Sequence, residues 1–353
     1  MITAPSFSFF QEALEHLHPS LASKKHIDKA LSLIRLFPNH LFSNPCNLWL
    51  EMPLNEENNW ADVSFIIYSL RSILKENSMA FADFFAKIHG YEREEWKRLI
   101  HFLDGWSETD PGICFEFDVG SSPEWPPSPN VFIVSHKSGD DLVSFASQIA
   151  HRLNHAHLSP KVIDQMQIYF EFCAISKIRL LCGFMMARNL GKLRVVCYRS
   201  KKFFDLIFFE KLLMKARYSF DLQPLFSFLK KAFPFVDTIA PSLDIGETPE
   251  NRLGIEFFVK NNEWEPFLSF LLKESFITLE KKQACLSWIG YDVKKTDDPE
   301  HNHLIVRDVS HIKMIYIPGE PLFAKVYLRL HSTKKSHPHF WHWACERETG
   351  RLE

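Results

Sequence analysis

Three segments decide the fold: Leu48–Leu54 (LWLEMPL), Ile113–Val119 (ICFEFDV) and Leu253–Val259 (LGIEFFV). Each sets a glutamate, Glu51, Glu116 or Glu256, after three mostly apolar residues. Each is followed by a polar stretch and then a tryptophan, Trp60, Trp125 or Trp264, at offsets of 9, 9 and 8 residues from the glutamate. The first two glutamates are 65 residues apart and the last two 140, which is two steps of 70. A period of this size marks a repeated supersecondary unit. It calls for a further copy near residue 186, and a strand pair stands there: Leu181–Arg188, an Asn-Leu-Gly turn, and Lys192–Tyr198.

Working outward, five hairpins emerge: 47–53 with 62–69, 112–119 with 129–136, 181–188 with 192–199, 241–246 with 251–260, and 311–317 with 322–330. The last turns through Pro318-Gly319-Glu320-Pro321, a strong turn signal. In the fourth copy the glutamate lies on the second strand of its hairpin. Between hairpins the apolar period changes to that of helices, at 6–18 and 24–37, 72–88 and 92–104, 140–154 and 160–177, 203–216 and 222–232, and 264–274 and 279–288. Ser23, Ser159 before Pro160, and Thr278 are the N-cap signals.

The order is therefore α-α-β-β, five times, in one α+β domain spanning residues 1–353. Strands covered by helices on one side only must turn their apolar face to those helices, leaving the other face free to be polar. Consecutive antiparallel hairpins of this kind remove their edges by closing. The expectation is a ten-stranded antiparallel barrel ringed by helices, wide enough for a cavity.

Alternation assigns the inner face. It puts Trp49 and Glu51 inside from hairpin one, and Glu116 and Asp118 from hairpin two. Hairpin three contributes Lys192, Arg194 and Tyr198, with Arg188 beside Phe184 and Met186. Hairpin four contributes Asp244, Arg252 and Glu256, and hairpin five His311, Lys313, Lys325, Tyr327 and Arg329. Acids then come mainly from hairpins one, two and four, and bases from three and five. One such glutamate alone is an ordinary polar residue on a solvated face; several on one inferred face argue for a lumen with an acidic and a basic sector.

A chain of five α-α-β-β units around a ten-stranded barrel resembles the ABBA-type (PT-barrel) aromatic prenyltransferases over nearly its whole length. At 353 residues it is closer in size to the bacterial members, including those that prenylate ribosomal peptides, than to the fungal indole enzymes. The resemblance implies transfer of a dimethylallyl or longer prenyl group from its diphosphate to an aromatic or other electron-rich acceptor on a peptide or small natural product. It implies catalytic carboxylates at Glu51, on an early barrel strand, and Glu116. Lys325-Val-Tyr327 looks like the Lys-x-Tyr pair that holds and screens the diphosphate. Arg188, Lys192, Arg194, Tyr198, Arg252, Lys313 and Arg329 complete the diphosphate set, with Trp49, Asp244 and Glu256 on the acceptor. Hairpin three departs from the pattern, offering Arg194 and Tyr198 four apart in place of a second Lys-x-Tyr. Prenyl diphosphate is the co-substrate; members of this architecture differ in needing Mg2+, so that ion is an optional cofactor. The alternative is a non-catalytic barrel of the same fold that binds a peptide or hydrophobic ligand.

The remaining features bound this reading. A net charge of −2 gives no electrostatic case for nucleic acid. No secretory signal and no uninterrupted apolar run of membrane-spanning length is legible, which points to the cytoplasm. The seven cysteines show no CxxC and read as buried reduced thiols. Trp60, Trp125 and Trp264 read as packing anchors. His151, His155 and His157 close a helix, where its dipole favours them. His337, His339, His342 and Cys345 have ligand-like spacing, but no second cluster completes a zinc motif, so no metal site is assigned.

Overall fold

Alternation governs the barrel wall. Leu48, Leu50 and Met52 turn outward to the helices and are fully buried, while Trp49 and Glu51 between them turn in. The computed structural model describes residues 7–37, 47–55, 59–67, 94–104, 112–120, 125–135, 140–154, 158–174, 180–186, 192–215, 221–246, 252–294 and 303–334. Twelve strands lie among them: β1 (Asn47–Pro53), β2 (Asp62–Ile67), β3 (Ile113–Phe117), β4 (Pro129–Ser135), β5 (Leu180–Phe184), β6 (Leu193–Cys197), β7 (Arg199–Ser200), β8 (Val236–Ile245), β9 (Leu253–Val259), β10 (Gly290–Lys294), β11 (His303–Tyr316) and β12 (Phe323–Lys334). Ten of them form a closed antiparallel circuit, β1-β2-β3-β4-β5-β6-β8-β9-β11-β12 and back to β1. The short β7 and β10 add to the rims of β8 and β11.

The described helices are α1 (Phe7–Leu14), α2 (Lys24–Ile34), α3 (Glu94–Asp104), α4 (Asp140–Asn154), α5 (Pro160–Ala174), α6 (Leu206–Lys215), α7 (Gln223–Ala232), α8 (Trp264–Lys273) and α9 (Leu279–Trp288). Thr278 caps α9, its hydroxyl accepting the Lys281 N–H at 3.2 Å, and Ser159 does the same for Val162 at 3.3 Å. The helix expected at 72–88 lies outside the described residues. Between helices and wall runs one continuous apolar layer rich in phenylalanine. Phe65 packs on Phe37 at 4.8 Å and on Phe117 at 5.9 Å, and Phe228 meets Phe257 edge-on at 5.6 Å. Among the described residues no helix is long and apolar enough to cross a membrane.

Several details correct the sequence reading. Strands β11 and β12 run well beyond the expected 311–317 and 322–330, and β8 begins at Val236, ahead of Pro241, which had read as a strand start. On β5, Phe184 and Met186 face the helices, not the lumen: Phe184 opposes the outward Leu193, and Gly183 opposes the inward Arg194. Trp264 is a packing anchor, but Trp125 is 41% exposed. Cys114, Cys182 and Cys285 are free and buried, whereas Cys197 is disulfide-bonded, a pairing that no CxxC spacing announces.

Gly183 shows how tightly the wall is packed. A Cβ there would lie 2.2 Å from the Phe132 ring on β4, so only glycine lets that ring lie across the inner face. Gly183→Ala is therefore expected to destabilise the fold by about 1–3 kcal/mol, as overpacking does. Phe132→Ala in the same chain should recover part of the loss, measured by urea unfolding.

Candidate functional site

Closure brings the charged inner faces of different hairpins against one another. Arg194 and Asp244 are register partners on β6 and β8, and their side chains meet in a bidentate pair at 2.6 and 2.8 Å. Lys313 and Glu256 are partners on β11 and β9 and meet at 3.1 Å. Glu51 and Tyr327 are partners on β1 and β12, and Glu51 accepts hydrogen bonds from both the Tyr327 hydroxyl and Lys325, two residue pairs along on the same face. Arg329 pairs with Asp308, opposite it on β11, at 2.9 Å through Nε. Bases and acids thus interleave as ion pairs. The separate acidic and basic sectors expected from the sequence do not form, because closure sets hairpin five between one and four, and β6 against β8.

Gly254 serves this cluster. A Cβ on its lumen side would lie 2.6 Å from Lys313 Cε, so its bareness gives that lysine its path across β9. Lys325 lies over the Trp60 ring at 4.7 Å, a cation–π contact that adds to the tryptophan's packing on Gly120.

Two spaces with shared lining residues result. A cavity of about 580 Å³ is walled by Trp49, Cys114, Phe132, Leu181, Val196 and Phe258, among others, with Glu116 and Tyr198 on its lining. A narrow polar cleft of about 10 Å³, enough for a single water, is lined by Glu51, Arg194, Asp244, Arg252, Lys313, Lys325 and Tyr327. Arg194, Lys313 and Tyr327 border both. The expected lumen residues Trp49, Glu51, Glu116, Arg194, Tyr198, Asp244, Arg252, Glu256, Lys313, Lys325, Tyr327 and Arg329 are thereby brought together. Lys192 lines neither space, and Arg188 lies outside the described residues.

Electrostatics follow from burial. Burial alone would raise Glu51, but Lys325 and Lys313, with the hydrogen bonds from Lys325 and Tyr327, hold it well below the ordinary carboxylate range. Burial likewise opposes ionisation of Asp244, and Arg194 overrides it, so Asp244 is lowered. Asp62, register partner of Glu51, goes the other way: burial and the nearby Glu51 and Asp118 raise it well above its usual value, although it accepts the Gly120 N–H at 2.9 Å. Burial lowers Lys313 against the pull of Glu256. Burial and Glu51 raise Tyr327, which stays a neutral donor. Burial also pushes His311 down to about 4, so it is a neutral imidazole at physiological pH. Ser310 and Phe258 enter the lining without having been singled out in the sequence, and His311 lines the cavity on the face that alternation gave it with Lys313.

No protein-family model matches the sequence, and no curated protein is similar to it. Solved structures are similar. The prenyltransferase PriB superposes with a TM-score of 0.52 at 12% identity, over 91% of this chain and 95% of its own. NotF, in complex with brevianamide F and DMSPP, gives 0.52 at 11% identity, over 93% and 92%. The 5-dimethylallyl tryptophan synthase from Streptomyces coelicolor, in complex with DMASPP and Trp, gives 0.50 at 11%, over 92% and 95%. The chain has the PT-barrel fold of these prenyltransferases.

Removing one member of a buried pair strands the other. Arg194→Leu should cost about 3–5 kcal/mol by leaving Asp244 uncompensated, while Arg194→Leu with Asp244→Leu should return most of it, in urea unfolding. His311 sets a pH window: the unfolded chain binds its proton near 6.5 and the folded chain only near 4, so acid favours unfolding between those values. Wild type should lose about 3 kcal/mol more than His311→Phe on going from pH 7 to below 4.

Proposed function

We propose that the protein is a prenyltransferase that moves a dimethylallyl or longer prenyl group from its diphosphate to an aromatic or other electron-rich acceptor. The supporting observation is a cavity of about 580 Å³, with Trp49, Phe132 and Phe258 on its wall, that shares Arg194 and Lys313 with a polar cleft lined also by Arg252 and Lys325. In this reading the whole chain is one domain, and a peptide side chain or a small natural product reaches the cavity as acceptor. The diphosphate takes the cation end, with Tyr327 as an added donor and Arg329 and Tyr198 bordering the prenyl group; Lys192 and Arg188 remain further cations for it. Such donors stabilise the charge that develops on the leaving diphosphate. The rings of Trp49, Tyr198, Phe132 and Phe258 shield the allyl cation from water.

The counter-ions give the reaction an order. A diphosphate competes for Lys325 and Lys313, and this frees the Glu51 carboxylate to hold the acceptor's N–H or O–H. Glu116 and Trp49 flank that position on the inner face of β3 and β1, while Asp244 and Glu256 keep the cations in line. Mg2+ fits poorly: the carboxylates of Glu51, Asp244 and Glu256 are engaged by Lys and Arg, and among the described residues no group of three metal-ligating side chains forms. The same counter-ions favour the second reading, a non-catalytic barrel that holds a peptide or hydrophobic ligand.

Incubation with dimethylallyl diphosphate and L-tryptophan or tryptophan-containing peptides separates the two. The proposal expects binding of the diphosphate with transfer or hydrolysis; neither binding, hydrolysis nor transfer from any prenyl diphosphate leaves the second reading. Lys313→Ala and Lys325→Ala should each weaken diphosphate use about 10- to 100-fold, the worth of a charge-assisted hydrogen bond. Glu51→Gln should mainly lower turnover, by about 100-fold. Thermal unfolding of each variant distinguishes lost binding from lost fold.

A further inference from the structure

Strand β11 breaks its alternation at Ser310. Its register with β12 shifts between Val309 and His311, so Ser310 and His311, neighbours in sequence, both line the cavity. A β-bulge re-aims side chains in this way, often beside active sites. The imidazole is clamped between the Tyr327 ring at 4.1 Å and the Phe258 ring at 4.7 Å. Its Nδ1 lies 3.1 Å from Ser310 Oγ and its Nε2 3.8 Å from Glu256 Oε2. Trp49 Nε1 donates to the same Ser310 oxygen at 3.2 Å. An indole N–H can only donate, so it occupies one lone pair of Ser310 Oγ, and the tautomer of His311 decides whether Nδ1 accepts the hydroxyl proton or donates to the second lone pair. In the tautomer protonated on Nε2, that proton faces Glu256 and Nδ1 accepts from the Ser310 hydroxyl, which is the arrangement a base needs.

Glu256 has a second claimant, since its other oxygen accepts from Lys313 at 3.1 Å. The charged groups around His311 are Glu256 on β9, Glu51 on β1, Lys313 on its own strand and Arg329 on β12, with the Tyr327 phenol neutral beside it. Burial does most to keep the imidazole neutral, and the two cations add to it against the two carboxylates.

We propose that His311 takes the proton lost by the acceptor, and that a diphosphate arms it by drawing Lys313 off Glu256. This rests on the prenyl-transfer reading. In the step, the C–O bond of the prenyl diphosphate breaks and its electron pair leaves with the diphosphate. An electron pair of the acceptor carbon or nitrogen forms the new bond to the allylic carbon. The proton on that atom passes to His311 Nδ1, directly or through the Ser310 hydroxyl, and Glu256, released by Lys313, neutralises the imidazolium. A weakly basic imidazole suffices, because a prenylated ring still carrying its proton is a far stronger acid than imidazolium. Glu51 keeps its separate task of holding the acceptor.

The test is an NMR titration of histidine-labelled protein, with the His311 signal assigned by its loss in His311→Phe, or in His311→Gln should that variant fail to fold. Saturating inorganic pyrophosphate should move the His311 midpoint up from about 4 by more than about one pH unit. The movement should be absent in Glu256→Gln. His311→Phe should bind pyrophosphate within about twofold of wild type while losing about 100-fold or more in transfer. Pyrophosphate that binds, by calorimetry, without moving the midpoint overturns this inference and leaves prenyl transfer standing. Full transfer by His311→Phe overturns it as well. Pyrophosphate that does not bind removes both.

Discussion

The pairing of β9 with β11 closes the barrel, and the lumen depends on it. Five register pairs from Ile312–Phe257 to Tyr316–Leu253 join the fourth hairpin to the fifth, while β12 is already paired with β1. Without this seam the sheet would be an open ribbon with two edges, and Lys313 would have neither Glu256 nor Arg194 as neighbours. With it, every inward position on hairpin five is flanked by inward positions of hairpins one and four. The ion pairs of the lumen are a direct consequence of strand register.

This arrangement says more about specificity than about stability. Buried ion pairs gain little net stability over apolar substitutes, because desolvation offsets most of the attraction. What they do is penalise misregistration. A one-residue slip of β11 would carry Lys313 into the phenylalanine-rich shell around Phe228 and Phe257 and turn Ile312 into the lumen. The shell supplies the driving force for burial, and the lumen charges select one closure among several. The same charges set the chemistry, since Arg194, Lys313, Lys325 and Arg329 are already paired with carboxylates, and an anion that takes one of them exchanges with its carboxylate. Binding of an anion is thereby coupled to release of acidic groups a few ångströms away.

The barrel was legible in the sequence because its repeat carries an apolar period: Leu48, Leu50 and Met52, like Ala324, Val326 and Leu328, are outward residues that the pattern identifies. Inner faces followed by parity wherever that pattern was clean, as at Glu51, Arg194 and Lys325. On β5 parity failed, since Leu181 through Met186 is apolar on both faces and nothing in it tells Phe184 from Gly183. The partners of each charge were beyond reach, because register between hairpins is set by closure and not by neighbours in sequence. Ser310 escaped for another reason: the phase of β11 changes there, so the stretch from His303 to Val309 reads as no continuation of the strand after it.

That change of phase makes β11 two half-strands joined by one surplus residue. Asp308 and Ser310 point inward by one count, and His311, Lys313 and Ile315 by the other. The ladder on either side is regular, so chain length is least constrained at this point of the wall. A lineage could lose or gain a residue here and keep every core contact, changing only which groups stand over the cavity. The seam that holds the barrel shut thus carries, within a few residues, the place where its interior is freest to be rewritten.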